Sequence, residues 1–246
     1  MALAPMLTAV TDEAIGKTRR ADPVLPTSGG PAGNARLTAW TGLVLLVLIA
    51  IETVTALDVR GLISWHIVVG TLLVPVALLK TASTGWRLVR YYLHKDVYVT
   101  AGPPPMLLRL LGPLVVVSTL GVLGTGLALI AMGPTSGRNP FFLGLDMLTL
   151  HQGSFIVFGV ATGLHVLGRL VPAWRLVSGR VERTVAEHSA VPGGKARVVA
   201  LLVTLVAAAV TAALVLGAST SWRKDRGGFD HFRSDRNEGA PAVPGG

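Results

Sequence analysis

Four side chains able to bind a metal through nitrogen fall inside stretches that are otherwise apolar or small. His66 and Lys80 bound "HIVVGTLLVPVALLK", and His151 and His165 bound "HQGSFIVFGVATGLH". Each stretch opens on histidine and places its second basic nitrogen 14 positions later. On an α-helix that interval leaves two side chains within about 40° of one azimuth and about 21 Å apart along the axis. Ionisable groups inside an apolar span are costly and face the bundle interior, which makes them functional candidates by default. Two neutral imidazoles facing one another across a bundle are what a six-coordinate b-type haem iron requires. The spacing therefore predicts one haem between His66 and His151, and a second, deeper one at His165. Lys80 has three readings: an axial ligand through its neutral amine, a partner for a haem propionate, or a lysine snorkelling to the interface. For each histidine taken alone, the plainer alternative is a hydrogen bond to a neighbouring helix.

These residues need elements that hold them at depth, and the composition supplies them. The chain has 246 residues, 51% hydrophobic and only 14% charged, with a mean hydropathy of +0.60. A soluble domain carries about 25% charge, so the expected class is a membrane protein. There is no cysteine, which excludes disulfides, iron–sulfur clusters, thiolate zinc and covalent c-type haem. The net charge of +9 is loop charge that orients spans rather than a nucleic-acid footprint. Apolar runs of about 20 residues, the length that crosses a bilayer core, occur five times, near Leu37–Leu57, Leu62–Thr81, Leu110–Met132, Leu148–Val171 and Val198–Gly217. The expected fold is all-α, an integral membrane bundle of five transmembrane helices. Its expected divisions are a disordered cytoplasmic arm over 1–35, a four-span bundle over 36–171, a cytoplasmic loop over 172–195, an accessory fifth helix over 196–220 and a disordered tail over 221–246.

Basic residues concentrate in the arm, between spans two and three, and between spans four and five. By the positive-inside rule the N-terminus is cytoplasmic and the C-terminus outside, in a membrane expected to be a bacterial plasma membrane. His66 and His151 then lie near the outer face, Lys80 and His165 near the inner one. Arg87, Arg90 and Arg169 are placed to neutralise the carboxylates of an inner haem, and Arg60 and Arg138 those of an outer one. Gly70, one turn after His66, makes room for a macrocycle. Gly121, Gly124 and Gly126 fit close helix packing through small residues. Pro75 is expected to kink span two. Glu52, the one carboxylate well inside a span, is a candidate proton or quinone site. His94 is about 42 Å along a helix from His66 and belongs to an interfacial loop, while His188 and His231 sit in polar segments.

The His-x13-His helix, the matching histidine on a second helix, the lack of cysteine and the small multi-span bundle resemble the membrane-embedded b-type cytochromes. These include the cytochrome b subunits of hydrogenases, formate dehydrogenases and quinol-oxidising complexes. The resemblance covers about Leu37 to Val171 and rests on ligand spacing. It implies a four-helix core with non-covalent haem b between helices two and four, and electron exchange with quinone and a partner redox subunit. The chain would be an electron-transfer subunit of an oxidoreductase rather than an enzyme alone. Lys80 departs from the family pattern, which more often has a second histidine on that helix. The competing expectation is a non-redox transporter or assembly scaffold that uses the intramembrane His, Lys and Glu as polar contacts.

Overall fold

The computed structural model describes residues 8, 11–12, 22–102, 106–178 and 191–224. Most of the expected arm, the segment 179–190 with His188, and the tail from 225 with His231 lie outside the described residues, as does the side chain of Arg169. Five helices are long and apolar enough to cross a membrane. They are α1 (Gly30–Leu57), α2 (Val59–Tyr92), α3 (Met106–Ser136), α4 (Met147–Val177) and α5 (Gly194–Ala218). Short helical turns occur at Asp96–Thr100 and Thr220–Lys224, and a two-stranded antiparallel hairpin, β1 (Pro140–Phe142) and β2 (Leu145–Asp146), joins α3 to α4.

Local chemistry sets where these helices begin. Gly29 adopts the left-handed region (φ 75°) and Pro31 follows in the first turn of α1, a position where a missing N–H costs nothing. The helix thus starts before residue 36, where the span was expected to begin. Asp58 ends α1 and caps α2 by accepting from Gly61 N at 3.0 Å; Asp146 caps α4 by accepting from Thr149 N at 2.7 Å. Each cap satisfies a helix-end N–H that would otherwise lack an acceptor.

The helix α2 is the centre of the molecule. It packs along α1 on one side and α5 on another, whereas α3 and α4 form a second hairpin that touches α1 and α2 more lightly. Its buried residues include Ile67, Val69, Leu73 and Val76, the last fully enclosed. The fifth helix is therefore part of the packing around α2 rather than a peripheral addition. Pro75 lies inside the continuous helix α2, and the departure from helical φ/ψ within that helix is at Leu62 (φ −112°, ψ 21°). Neighbouring helices let a membrane helix carry a proline in this way. At 34 residues α2 extends about 51 Å, beyond a hydrocarbon core of about 30 Å, so its last turns reach past the bilayer. His94 follows its end, exposed and in the left-handed region (φ 52°).

Large apolar side chains cover the outside of the bundle: Val47, Val54, Val117, Ile156, Leu167, Val203, Val206 and Leu214 are all exposed. Such a surface has its partner in lipid, and the protein is a multi-pass integral membrane protein.

At the end of the bundle near residue 30, hydrogen bonds tie chain segments distant in sequence. Asn34 Nδ2 donates to Ser83 O at 2.8 Å, and the Thr38 and Ser83 hydroxyls meet at 2.9 Å. The Arg197 guanidinium, buried at the start of α5, donates to Val191 O, Pro192 O and Ser28 O. A methyl group on Gly33 would stand 2.5 Å from Ser28 O and 2.7 Å from Arg197 Nη1. Gly33→Ala should therefore lower the unfolding free energy in detergent by about 1–3 kcal/mol, as overpacked sites do; an unchanged stability would show that this corner yields freely.

Candidate functional site

A cavity of about 1600 Å³ lies between the α1/α2 hairpin and the α3/α4 hairpin. It exceeds the ~300–1,000 Å³ of ordinary ligand pockets. His66, Lys80, His151 and His165 all line it, together with Glu52, Gly70, Arg60 and Arg138. The two helices that carry the nitrogen ligands, α2 and α4, do not pack closely against one another among the described residues; the cavity separates them. Its walls are largely apolar, with Leu45, Ile49, Leu73, Leu123, Ile130 and Phe155 among them.

His66 and His151 approach one another across this space, with ring centres 6.3 Å apart and planes at 79°. Metal–imidazole bonds of about 2 Å on either side of one ion, with each ring centre about 1 Å beyond its nitrogen, put two axial imidazoles about 6 Å apart. The observed separation fits that arrangement.

Both rings are held through Nδ1. For His66, Nδ1 lies 3.0 Å from Glu52 Oε1 and 3.3 Å from Thr55 Oγ1, and the Thr55 hydroxyl shares its one proton between Glu52 O at 2.8 Å and Glu52 Oε2 at 2.9 Å. With Nδ1–H donated to the carboxylate oxygen, the neutral ring has its lone pair on Nε2. For His151, Nδ1 lies 3.0 Å from Thr125 Oγ1. The single hydroxyl proton of Thr125 goes to Gly121 O at 2.7 Å, with Val122 O at 3.2 Å. Thr125 Oγ1 is thus the acceptor, and His151 too has Nδ1–H and a basic Nε2.

Glycines of two helices make room for this network. A methyl on Gly126 would stand 3.1 Å from His151 Cε1, and one on Gly70 3.0 Å from Glu52 Oε1. The space at Gly70 is occupied by a carboxylate, where the sequence suggested a macrocycle. Gly126, read from sequence as helix packing, is instead a seat for His151.

Lys80 Nζ donates to Thr38 O on α1 at 3.0 Å and lies 2.8 Å from where a methyl on Gly42 would be. The amine is thus held against α1. His165 and Thr162 line the cavity from α4. The arginines divide into two groups. Arg60 and Arg138 line the cavity, both exposed. Arg87 and Arg90 are not part of the cavity wall: Arg87 forms a two-pronged pair with Asp22 at 2.8 and 3.1 Å, and Arg90 lies over the Trp86 ring at 4.3 Å. The arm's Asp22 accounts for Arg87, and no periodicity in α2 points to it.

Sequence reasoning missed Thr55, Thr125 and Trp222. Threonines are common in membrane spans, and only the positions of Thr55 three residues after Glu52 and of Thr125 between Gly124 and Gly126 mark these two. Trp222 lines the cavity and donates from Nε1 to Leu129 O at 2.9 Å, so the expected tail begins with an ordered turn. Among the described residues no cluster of three or more His, Cys, Asp and Glu side chains is placed to hold a bare metal ion.

The fold and cavity define a class: a five-span α-helical membrane protein with an internal, histidine-bearing cavity. Comparison with family models, curated proteins and solved structures gives no match.

Proposed function

We propose that the protein is a membrane electron-transfer cytochrome b, with one haem b held between α2 and α4 by His66 and His151. The observation that carries this reading is the 6.3 Å separation of two imidazoles whose Nδ1 atoms both point to protein acceptors, on helices parted by a large apolar cavity. Haem, when bound, supplies one-electron redox chemistry that the protein tunes by ligand identity and surroundings.

The chain's own residues then have defined tasks. His66 and His151 present Nε2 lone pairs to the cavity. Apolar walls exclude water, and Arg60 and Arg138 neutralise acidic groups at the outer mouth. His165 is the place for a second haem; Lys80, held by Thr38, serves the inner end as a cation beside an acidic group rather than as an iron ligand. Quinone and a partner redox subunit are the proposed electron partners, with the N-terminus cytoplasmic, the C-terminus outside and the membrane a bacterial plasma membrane.

A second reading, a non-redox transporter or assembly scaffold, draws on one observation. The Glu52, Thr55, His66 and Thr125, His151 contacts already form closed polar sets without a cofactor. The test is a dithionite-reduced minus oxidised spectrum of protein purified with adequate haem supply, with haem per chain measured as the pyridine complex. One haem per chain supports the His66/His151 site. Two add His165, and Lys80→Ala should then alter only the second centre. A colourless, folded protein overturns the cytochrome reading in favour of the second.

A further inference from the structure

The two histidines are supported unequally. Behind His66 stands Glu52, with one carboxylate oxygen 3.0 Å from Nδ1 and the other accepting from Thr55. Behind His151 stand neutral groups alone among its hydrogen-bond partners described, the Thr125 hydroxyl and the Val122 backbone carbonyl. The Glu52 side chain is 14% exposed and packs over Gly70, where a β-carbon would reach 3.0 Å from its oxygen. Three elements of the sequence therefore converge on one geometry: a carboxylate on α1, a threonine one turn later to orient it, and a glycine on α2 to admit it.

We infer that Glu52 is a positioning residue that locks His66 in its Nδ1–H tautomer and makes the two axial positions electronically unequal, with a carboxylate-backed imidazole on α2 and a hydroxyl-backed one on α4. The inference rests on the haem reading above. A carboxylate hydrogen-bonded to the distal nitrogen of a ligating histidine fixes the ring and strengthens it as a donor. Stronger donation and a nearby negative charge both favour the oxidised, more positive iron, so Glu52 lowers the reduction potential of the centre. Glu52 thereby acts on the centre through His66, apart from any contact with quinone.

The experiment uses the full chain and three readouts: haem per chain, the midpoint potential, and the low-spin ferric EPR spectrum. Glu52→Gln keeps an acceptor for Nδ1–H but removes the charge. It should retain haem and a sharp low-spin signal while the midpoint rises, by roughly tenfold in the reduced-to-oxidised ratio at a fixed potential, about 59 mV for one electron. Glu52→Ala removes the acceptor as well and should broaden the EPR signal as His66 loses its fixed orientation. In the haem-free chain, ¹⁵N-histidine NMR should find His66 as the Nδ1–H tautomer, and find that preference lost in Glu52→Ala. Fully loaded variants with the wild-type potential and EPR signal would overturn the role of Glu52 and leave the haem site standing. A wild-type His66 in the Nε2–H form would overturn it as well. A wild-type chain that takes up no haem overturns the haem reading and this role together.

Discussion

On the proposed haem reading, His151→Ala should abolish the b-type absorbance of a centre between α2 and α4 and leave the bundle folded. The ring is half-buried at the cavity wall, and its hydrogen bonds are with the neutral Thr125 hydroxyl and the Val122 backbone. Losing such a bond costs about 0.5–1.5 kcal/mol, too little to unfold a five-helix bundle. The consequence for haem is much larger. Loss of an outer-shell support already weakens metal binding by about 10–100-fold, and loss of the ligand itself exceeds that. His66→Ala should do the same from the opposite side of the cavity. The measurement is haem per chain and the reduced-minus-oxidised spectrum, with far-UV circular dichroism to establish folding. Variants that keep the full low-spin spectrum would show that the two imidazoles are not the axial pair.

The second large effect is on stability and lies far from the histidines. Arg197→Leu removes the donors for Val191 O, Pro192 O and Ser28 O at a site where the arginine is 7% exposed. Hydrogen bonds to a charged group contribute about 1.5–3 kcal/mol each, and carbonyls left buried without a donor add a desolvation cost. A loss of about 3 kcal/mol or more is expected, with Arg197→Lys intermediate because an ammonium cannot reproduce the planar fork. Unfolding in detergent checks the magnitude. Limited proteolysis supplies a local readout, since residues 22–33 should become cleavable when Ser28 O is released. A variant with wild-type stability and protection would show that the carbonyls find other donors.

The five spans were legible because the bilayer imposes a length and an apolarity that a one-dimensional scan detects. Their true ends were less so. Gly29, Pro31, Asp58 and Asp146 mark helix boundaries through caps, a signal weaker than hydropathy. The departure from helical geometry at Leu62 carries no such signal in the sequence. For the site, the pairing of His66 with His151 followed from matching depth along two spans. The supports did not, because Glu52 and Thr55 come from α1 and Thr125 from α3, and no spacing within one helix relates them to a histidine on another. Lys80 and Arg87 show the same limit, their partners being Thr38 and Asp22.

By itself the sequence determined a multi-span α-helical membrane protein and how far apart along its helix each pair of basic nitrogens sits, since the rise per residue is the same for every helix. The tertiary structure decided which of these side chains face each other, which carboxylate backs which ring, and that a cavity rather than a packed seam separates α2 from α4. Those outcomes depend on how each helix is rotated and spaced against its neighbours. That is settled by side-chain packing among helices, which no periodicity within a single helix encodes.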